Sequence, residues 1–370
     1  MDNIDKAAWT GAELTCAQSC YTSSRVYVGA TDGSVRAIAA NVSCASSDTE
    51  LPLTQADWES RLCAHAVTSV CGIEANKKEK STLLVVGSAG GELVLLHEDL
   101  EIRRFQLESA VQKICYDPIG EFIVGDVLGN LYGVTQYEIR WKRRLPAFAL
   151  RDDIDSEFFY PAVAQPTVQA ITYARLLDVE KTLSNYILVA TGQKYLVLTH
   201  CGKSFGTIPT RTPIVALVSI PVGDEDIVLA SGEEGIIYRL ESYREIGPKN
   251  MPSFRFAMNM WAQVSFPVLK LMSVKIPYET NKLEFAWICL GVNGEVTLFR
   301  GRGRVKEWTI ASYPSTRDVE LDFPVDLTLL NSGDVDKQPS GAIVFPGRIC
   351  TFSIQQSLSI ACNRTTYSPT

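Results

Sequence analysis

The residues most able to bind a metal or act as nucleophiles are widely spaced along this chain. Its 370 residues include three histidines, His65, His97 and His200, and ten cysteines, of which only Cys16 and Cys20 form a close pair. A zinc site is expected to show a compact spacing such as CxxC or HxxxH, and neither spacing occurs. We therefore expect no metal site and no bound cofactor.

Motifs for phosphate binding and hydrolysis are missing as well. Phosphate loops require GxxxxGK[ST], or GxGxxG between a strand and a helix, and the glycine-bearing sequences GSAGGE and GRGRV match neither. The GxSxG elbow of serine hydrolases does not occur. We expect a non-enzymatic protein, and an active site built from residues distant in sequence is the enzymatic alternative.

The composition is that of a globular protein, with 46% hydrophobic and 21% charged residues. A formal net charge of −7 argues against a main role in binding nucleic acid or anionic lipid, because these negatively charged partners favour proteins with an excess of Lys and Arg. The N-terminal sequence MDNIDKAAWTGAEL lacks a signal-peptide pattern, and no apolar run approaches the about 20 residues that span a bilayer. We expect a cytoplasmic protein with reduced cysteines, and nuclear or ciliary locations are the alternatives.

One unit recurs seven times along the chain. In each copy an apolar run ends in a small residue or glycine, a tight turn follows, and a second alternating apolar run resumes. The copies are RVYVGATDGSVRAI (25–38), LLVVGSAGGELVLL (83–96), EFIVGDVLGNLYGV (121–134), YILVATGQKYLVLT (186–199), DIVLASGEEGIIYRL (226–240), AWICLGVNGEVTLF (286–299) and GAIVFPGRICTFSI (341–354).

Each copy predicts a β-hairpin, because the apolar residues alternate and glycine can adopt the positive φ that hairpin turns demand. The fourth turn, GQKY, has no second glycine, and the seventh, FPGR, places Pro346 where a ladder N–H is wanted, so both should differ in geometry. The turn glycines of the other five copies are Gly33, Gly91, Gly129, Gly235 and Gly294.

Flanking runs supply two more strands per unit. An apolar run such as AVTSVCGI or PIVALVSI precedes each hairpin, and a polar, often tryptophan-bearing run such as EIRWKRRL or RVKEWTIA follows it. Four antiparallel strands, A to D, in each of seven units predict an all-β, seven-bladed β-propeller. We expect one domain over residues 1–370, with approximate blades 10–62, 63–108, 109–147, 166–210, 211–262, 263–312 and 321–363.

Three segments leave details of this architecture open. If SLSIAC near the C-terminus is the last strand D, the N-terminal AAWTGAEL either caps or completes that blade. YARLLDVEKTLSNY (173–186) is interpreted as a long hairpin loop with a helical turn. Residues 251–261, rich in Phe, Met and Trp, are interpreted as the outer strand of the fifth blade, with a partner-binding segment as the alternative.

Two clusters are candidates for partner binding. Acidic residues adjoin three consecutive aromatics on a long connection between blades, where the aromatics either fold back onto the propeller or meet a partner. A basic run on an outer strand either protects the sheet edge or binds an acidic partner or nucleic acid. The candidates are Asp152, Asp153, Asp155, Phe158, Phe159 and Tyr160 in the first cluster, and Arg140, Lys142, Arg143 and Arg144 in the second.

The third unit, GDVLGNLYGVTQYEIRWKRRL, resembles the repeats of quinoprotein-like and WD-repeat-like propellers, and is similar to those of the Bardet–Biedl ciliary coat and FG-GAP-like proteins. VKEWTI near the C-terminus follows the same pattern. The Gly-His and Trp-Asp pairs of true WD repeats are absent, as are the DxDxDG calcium loops of FG-GAP repeats, so calcium binding is not carried over. The resemblance implies a rigid disc that docks peptides or other subunits.

We therefore expect a scaffold for protein–protein interaction, as a subunit of a larger complex in ciliary or intracellular trafficking. Its partners would be other protein subunits or peptides, with neither a membrane span nor a small-molecule substrate. One alternative is a nucleic-acid-associated propeller of a nuclear complex. The enzymatic alternative is a quinoprotein-like enzyme.

Overall fold

The structure is a computed structural model that describes residues 12–20, 25–39, 49–50, 56–76, 81–146, 166–177, 183–200, 202, 204–246, 252–274, 285–309, 323–330 and 340–354. All regular structure in these residues is β-strand, arranged as seven four-stranded antiparallel sheets. Consecutive sheets contact each other through their first strands, and the seventh contacts the first. The sequence prediction of a seven-bladed β-propeller is therefore confirmed.

The first four blades are simple meanders, apart from one additional short strand in the connection within blade 1. Their strands are β1 (Leu14–Cys20), β2 (Arg25–Ala30), β3 (Ser34–Ala39), β4 (Thr49–Glu50) and β5 (Ala56–Arg61); β6 (Val67–Asn76), β7 (Ser81–Ser88), β8 (Glu92–His97) and β9 (Leu100–Gln106); β10 (Val111–Asp117), β11 (Glu121–Asp126), β12 (Asn130–Val134) and β13 (Ile139–Arg144); and β14 (Ala170–Leu177), β15 (Leu183–Ala190), β16 (Tyr195–His200) and β17 (Ser204–Pro209).

The last three blades follow the same plan, with the outer hairpin of blade 5 longer than the others. Their strands are β18 (Ile214–Val222), β19 (Glu225–Gly232), β20 (Ile236–Ile246) and β21 (Pro252–Gln263); β22 (Val268–Val274), β23 (Ala286–Gly291), β24 (Glu295–Arg300) and β25 (Gly303–Thr309); and β26 (Asp326–Leu330), β27 (Ser340–Phe345) and β28 (Arg348–Ser353).

Ring closure uses a segment that the sequence prediction did not consider for this role. The fourth strand of blade 7 is β4, which pairs with β28 although it lies in the connection between β3 and β5 of blade 1. SLSIAC and residues 7–11 of AAWTGAEL lie outside the described residues, and Leu14, the last residue of AAWTGAEL, begins β1 of blade 1. A further link is the hydrogen bond of 2.7 Å that the Leu14 N–H donates to the Pro346 carbonyl. Pro346 lies in the turn between β27 and β28, so it removes no donor from the ladder.

The two remaining segments can be checked in part. Residues 173–177 and 183–186 of the candidate helical turn belong to β14 and β15, so that interpretation is wrong for them. Residues 178–182 lie outside the described part of the chain. Residues 252–261 form most of β21, as expected for the outer strand of blade 5. Among the described residues there is no helix that could cross a membrane.

The core lies between blades rather than within them. The second and third strands bury nearly every side chain because each sheet packs between two neighbours. On the face of blade 6 that packs against blade 5, for example, the fully buried Trp287 of β23 stacks on Phe299 of β24 with 4.0 Å between ring centroids. This packing makes the propeller a rigid support for its turns.

The turns lie on two opposite faces, because strands alternate in direction within each blade. The upper face carries the turns between second and third strands together with the connections from one blade to the next. At Gly33 on this face (φ 84°), a Cβ would lie 2.0 Å from the Cys63 carbonyl oxygen of the next connection, so only glycine fits. The lower face carries the turns between first and second strands and between third and fourth strands.

Candidate partner-binding surfaces

Exposed apolar side chains concentrate on the lower face of three consecutive blades. Leu100 and Tyr137 are the most exposed large hydrophobic residues of the described chain, at 72% and 71%. Such side chains favour contact with another apolar surface over contact with water. We call this set the lower-face apolar patch: Leu100 and Ile102 in blade 2, Ile119, Tyr137 and Ile139 in blade 3, and Leu183 in blade 4.

A tight turn holds the blade 2 part of the patch in place. Glu98 and Asp99 join β8 to β9 and both have positive φ, 52° and 63°, as a type I′ hairpin turn requires. Non-glycine residues adopt this conformation at a cost, which is offset here by contacts with neighbours. Asp99 accepts hydrogen bonds from Arg25 Nη1 at 2.8 Å and from the Tyr27 hydroxyl at 3.3 Å, both in blade 1. Leu100 therefore projects from a fixed backbone.

The blade 3 part of the patch also rests on hydrogen-bonded turns. Thr135 N–H donates to the Glu138 carbonyl at 2.9 Å and closes the turn that carries Tyr137. The Asp117 carboxylate accepts from the Ile119 N–H at 3.1 Å and fixes the turn between β10 and β11. Burial raises the pKa of Asp117, and the neighbouring Glu121 adds to the rise. The patch is thus presented on ordered backbone in both blades.

The basic cluster predicted from sequence lies on β13, the outer strand of blade 3, and its charges are engaged within the protein. Arg140 forms an ion pair of 2.6 Å with the buried Glu121. Lys142 pairs with Glu108, in the connection from blade 2 to blade 3. Arg143 Nε donates to the Gly202 carbonyl of blade 4 at 3.0 Å. Arg144 is exposed at the upper end of the strand, and the role of all four in partner binding stays a prediction.

The acidic-aromatic candidates lie outside the described residues. This applies to the whole set, Asp152, Asp153, Asp155, Phe158, Phe159 and Tyr160, which falls in the interval between residues 146 and 166. Their role in partner binding therefore stays a prediction.

A narrow axial channel of about 330 Å³ runs between the first strands of all seven blades. Its polar lining includes Lys113, Lys270 and Asp326, and Lys270 forms an ion pair with Asp326. Cys16 also lines the channel, and its burial, with a smaller contribution from Asp326, raises the pKa of its thiol to about 12. A thiol with this pKa stays protonated at neutral pH and is a poor nucleophile. Among the described residues no group of three or more His, Cys, Asp or Glu is placed to hold a metal.

Sequence reasoning missed the lower-face apolar patch. Its members occur singly between polar residues, as in LEIRRF and QYEIRW, and the same alternation marks strands that are packed. What these residues share in the sequence is a position in or next to a lower-face turn. This shared position can be recognised once the seven repeats are aligned. Exposure then depends on whether the next blade covers that turn.

No protein-family model matches the chain, and no curated protein matches its sequence. Its structure is similar to BBS1N crystallised in complex with ARL6DN and soaked with mercury, with a TM-score of 0.58, 14% identity and coverage of 95% of this chain and 96% of that one. The lead-soaked form of the same complex gives a TM-score of 0.59 at 14% identity, covering 95% of both chains.

The β-propeller domain of Myceliophteria thermophila Cps50 (Swd1) is also similar, with a TM-score of 0.58, 11% identity and coverage of 93% of this chain and 98% of that one. Identities this low establish a shared fold alone. The solved structures therefore agree with the strand order and sheet count in describing this chain as a β-propeller.

Proposed function

We propose that this protein is a non-enzymatic scaffold for protein–protein interaction and a subunit of a larger complex, with a partner docked on the lower-face apolar patch. The observation that carries the proposal is the concentration of exposed apolar side chains there. The patch holds six of the ten exposed large hydrophobic residues of the described chain, on three consecutive blades. Scattered apolar residues are normal on any surface, but a set confined to one side of a rigid disc favours an interface.

The residue types fit an interface energetically. Full burial of a leucine or isoleucine side chain contributes about 1.5–3 kcal/mol, so a few such residues can supply much of a binding free energy. Tyrosine is enriched among residues that dominate interfaces, and Tyr137 stands on the turn between β12 and β13. Because the turns are already ordered, little conformational entropy is lost on binding.

The comparisons supply a context for this proposal. BBS1N was crystallised with a protein partner, ARL6DN. The third repeat of this chain also resembles propellers of the ciliary coat in sequence rhythm. We accordingly propose that the complex acts in ciliary or other intracellular trafficking, where a rigid propeller joins other subunits.

The contacts of β13 bear on the nucleic-acid alternative. Arg140 and Lys142 are paired with carboxylates, and Arg143 donates to a backbone carbonyl of the next blade. Phosphate binding would have to compete with these contacts. They support a structural role for this strand in preference to a nucleic-acid surface.

Affinity purification from the protein's own cells tests the proposal. We expect stoichiometric protein partners with the wild-type chain, and loss of at least one of them when Leu100→Arg and Tyr137→Arg are combined. Leu128→Arg is the matched control, because Leu128 is 50% exposed but lies on the upper-face turn of blade 3. If nothing co-purifies in stoichiometric amount, or if Leu128→Arg causes the same loss, the proposal is wrong.

A further inference from the structure

A groove opens at the outer rim between blades 4 and 5. It has a volume of about 620 Å³, within the range of about 300–1,000 Å³ typical of ligand-binding pockets. One wall is β17, the outer strand of blade 4, and the other is the long β20–β21 hairpin of blade 5. The apolar side chains that line it include Leu198, Ile208, Phe256 and Met258.

Gly206 is the reason that the groove is open. In blades 1 to 4 the upper end of the outer strand donates a backbone hydrogen bond to the turn of its own blade, and the strands can be aligned on this donor. In this alignment Gly206 in blade 4 is equivalent to Trp58 in blade 1 and Trp141 in blade 3. Trp58 packs against the cluster between blades 1 and 2, and Trp141 packs against the cluster between blades 3 and 4. The same position holds Arg103 in blade 2. Blade 4 alone of these four has no side chain there.

No strand of the described residues pairs with the outer edge of β17, and this edge is unprotected by charge. Its sequence, SFGTIP, contains no charged residue, whereas each of the other six outer strands contains at least one. Charged residues are a common means by which outer strands avoid pairing with other chains. An uncharged edge beside an apolar groove is therefore suited to accept an added strand.

The backbone at this edge has groups available for pairing. The Thr210 N–H donates to the Lys194 carbonyl at 2.9 Å. Because an antiparallel ladder alternates, the N–H groups of Ile208 and Gly206 also point to β16, whereas those of Phe205 and Thr207 point outward. Proline at position 209 has no N–H, which ends the row of outward donors.

The charge at the end of the groove indicates the chemistry of an occupant. Arg211 lines the groove and is exposed, and within the described part of the chain it has no ion-pair partner. A guanidinium at this position favours a carboxylate of an occupant, which it can bind through two parallel hydrogen bonds.

We propose that this groove binds a short extended peptide of a partner protein, which pairs with the β17 edge, inserts an apolar side chain beside Phe256 and Met258, and places a carboxylate on Arg211. Alternate side chains of an added strand point to the same side, so one side of the peptide would face the groove. The site is separate from the lower-face apolar patch and extends the proposed scaffold function to a second surface.

The test uses the full chain and a library of short synthetic peptides in which apolar and polar positions alternate, with one set carrying aspartate and a matched set carrying lysine. We expect aspartate peptides to be selected. Gly206→Trp should weaken their binding about tenfold or more, because it places in the groove the side chain that blades 1 and 3 use there. Gly206→Ala is the control, since a Cβ at this position meets no atom closer than 3.9 Å.

Edge pairing is tested by Thr207→Pro, which removes an outward N–H and leaves the β16 ladder intact. We expect a loss of about tenfold or more in affinity, and no loss with Thr207→Val, which keeps the N–H. Amide exchange should slow within residues 204–210 on peptide binding. Combining Leu100→Arg with Tyr137→Arg should leave peptide binding unchanged, so failure of the lower-face proposal is measured separately.

Three results would overturn the proposal. The first is that no library peptide binds, and the second is that selected peptides bind Gly206→Trp and Thr207→Pro as well as the wild type. The third is that the protein dimerises through this edge, seen as concentration-dependent self-association that Thr207→Pro abolishes. A wild-type fold of each variant, checked by circular dichroism and thermal unfolding, keeps the comparison valid.

Discussion

The carboxylate of Asp326 in blade 7 accepts a hydrogen bond of 2.8 Å from the backbone N–H of Ala17 in blade 1. The same carboxylate forms an ion pair with Lys270 of blade 6. One buried side chain thus links three consecutive blades on the axial side of the ring closure, whereas the pairing of β4 with β28 lies at the outer side of blade 7.

Removing this link should destabilise the whole ring. We expect Asp326→Ala to lower the free energy of unfolding by about 2 kcal/mol, because it leaves the Ala17 N–H and the Lys270 ammonium without their acceptor. Asp326→Asn should lose about half as much, since it keeps an acceptor for Ala17. Urea unfolding at constant m-value measures both variants, and an unchanged midpoint for Asp326→Ala would show that closure does not depend on this carboxylate.

Blades 4 and 5 are joined by a contact between Arg175 and Asp226, in which two guanidinium donors share one carboxylate oxygen. Arg175 Nε and Nη2 lie 3.1 and 2.7 Å from Asp226 Oδ1, and the Arg175 N–H donates to Asp226 Oδ2 at 2.9 Å. Arg175→Lys keeps the charge but loses the paired Nε and Nη2 donors, so we expect the free energy of unfolding to fall by about 1 kcal/mol, and by about 2 kcal/mol for Arg175→Ala. A double-mutant cycle with Asp226→Asn measures the coupling free energy. A coupling free energy near zero would show that the two side chains do not stabilise the contact between blades 4 and 5.

Trp141 and Gly133 depend on each other. A Cβ at Gly133 would lie 2.1 Å from Trp141 Nε1, so Gly133→Ala should cost about 2 kcal/mol through displacement of the indole. In a Trp141→Ala background the same change has no indole to displace and should cost well under half of that value. Thermal unfolding of the four proteins measures the difference, and equal costs in the two backgrounds would show that the clash is relieved elsewhere.

The buried thiols predict a loss of stability at alkaline pH. Burial raises the pKa of Cys16 and of Cys289 from 9.0 to about 12. Above pH 9 the unfolded chain releases these protons and the folded chain keeps them, so the stability present below pH 9 falls as pH rises towards 12. We expect Cys289→Ala to flatten this decline, measured as the urea midpoint against pH. An identical slope in wild type and variant would mean that the thiol titrates normally in the folded state.

The hairpins could be predicted because their signals are local. Alternating apolar residues around Gly33 or Gly129 specify two strands and the turn between them without reference to the rest of the chain. Five of the outer strands were also predictable, since charged or tryptophan-bearing runs such as β13 follow the hairpins of blades 1, 2, 3, 5 and 6. The repeat of these local patterns determined the sheet count.

Ring closure and the docking surfaces depend on distant residues and could not be predicted in this way. Strand β4 has two residues, too few for any periodicity, and its partner β28 lies at the other end of the chain. Leu100 is exposed and Phe105 is half-buried against its neighbours, although both occur in the alternating run LEIRRFQ of β9. Only the packing of adjacent blades distinguishes them. The opening at Gly206 likewise requires the blades to be aligned strand by strand.

Amide hydrogen exchange on the native complex, compared with the free protein, tests the proposed docking face most directly. We expect slower exchange in residues 98–102, 117–121 and 135–139, which carry the lower-face turns of blades 2 and 3. Residues 126–130, on the upper-face turn of blade 3, should exchange at the same rate in both samples. Protection confined to upper-face turns, or no difference between complex and free protein, would contradict docking on the lower-face apolar patch.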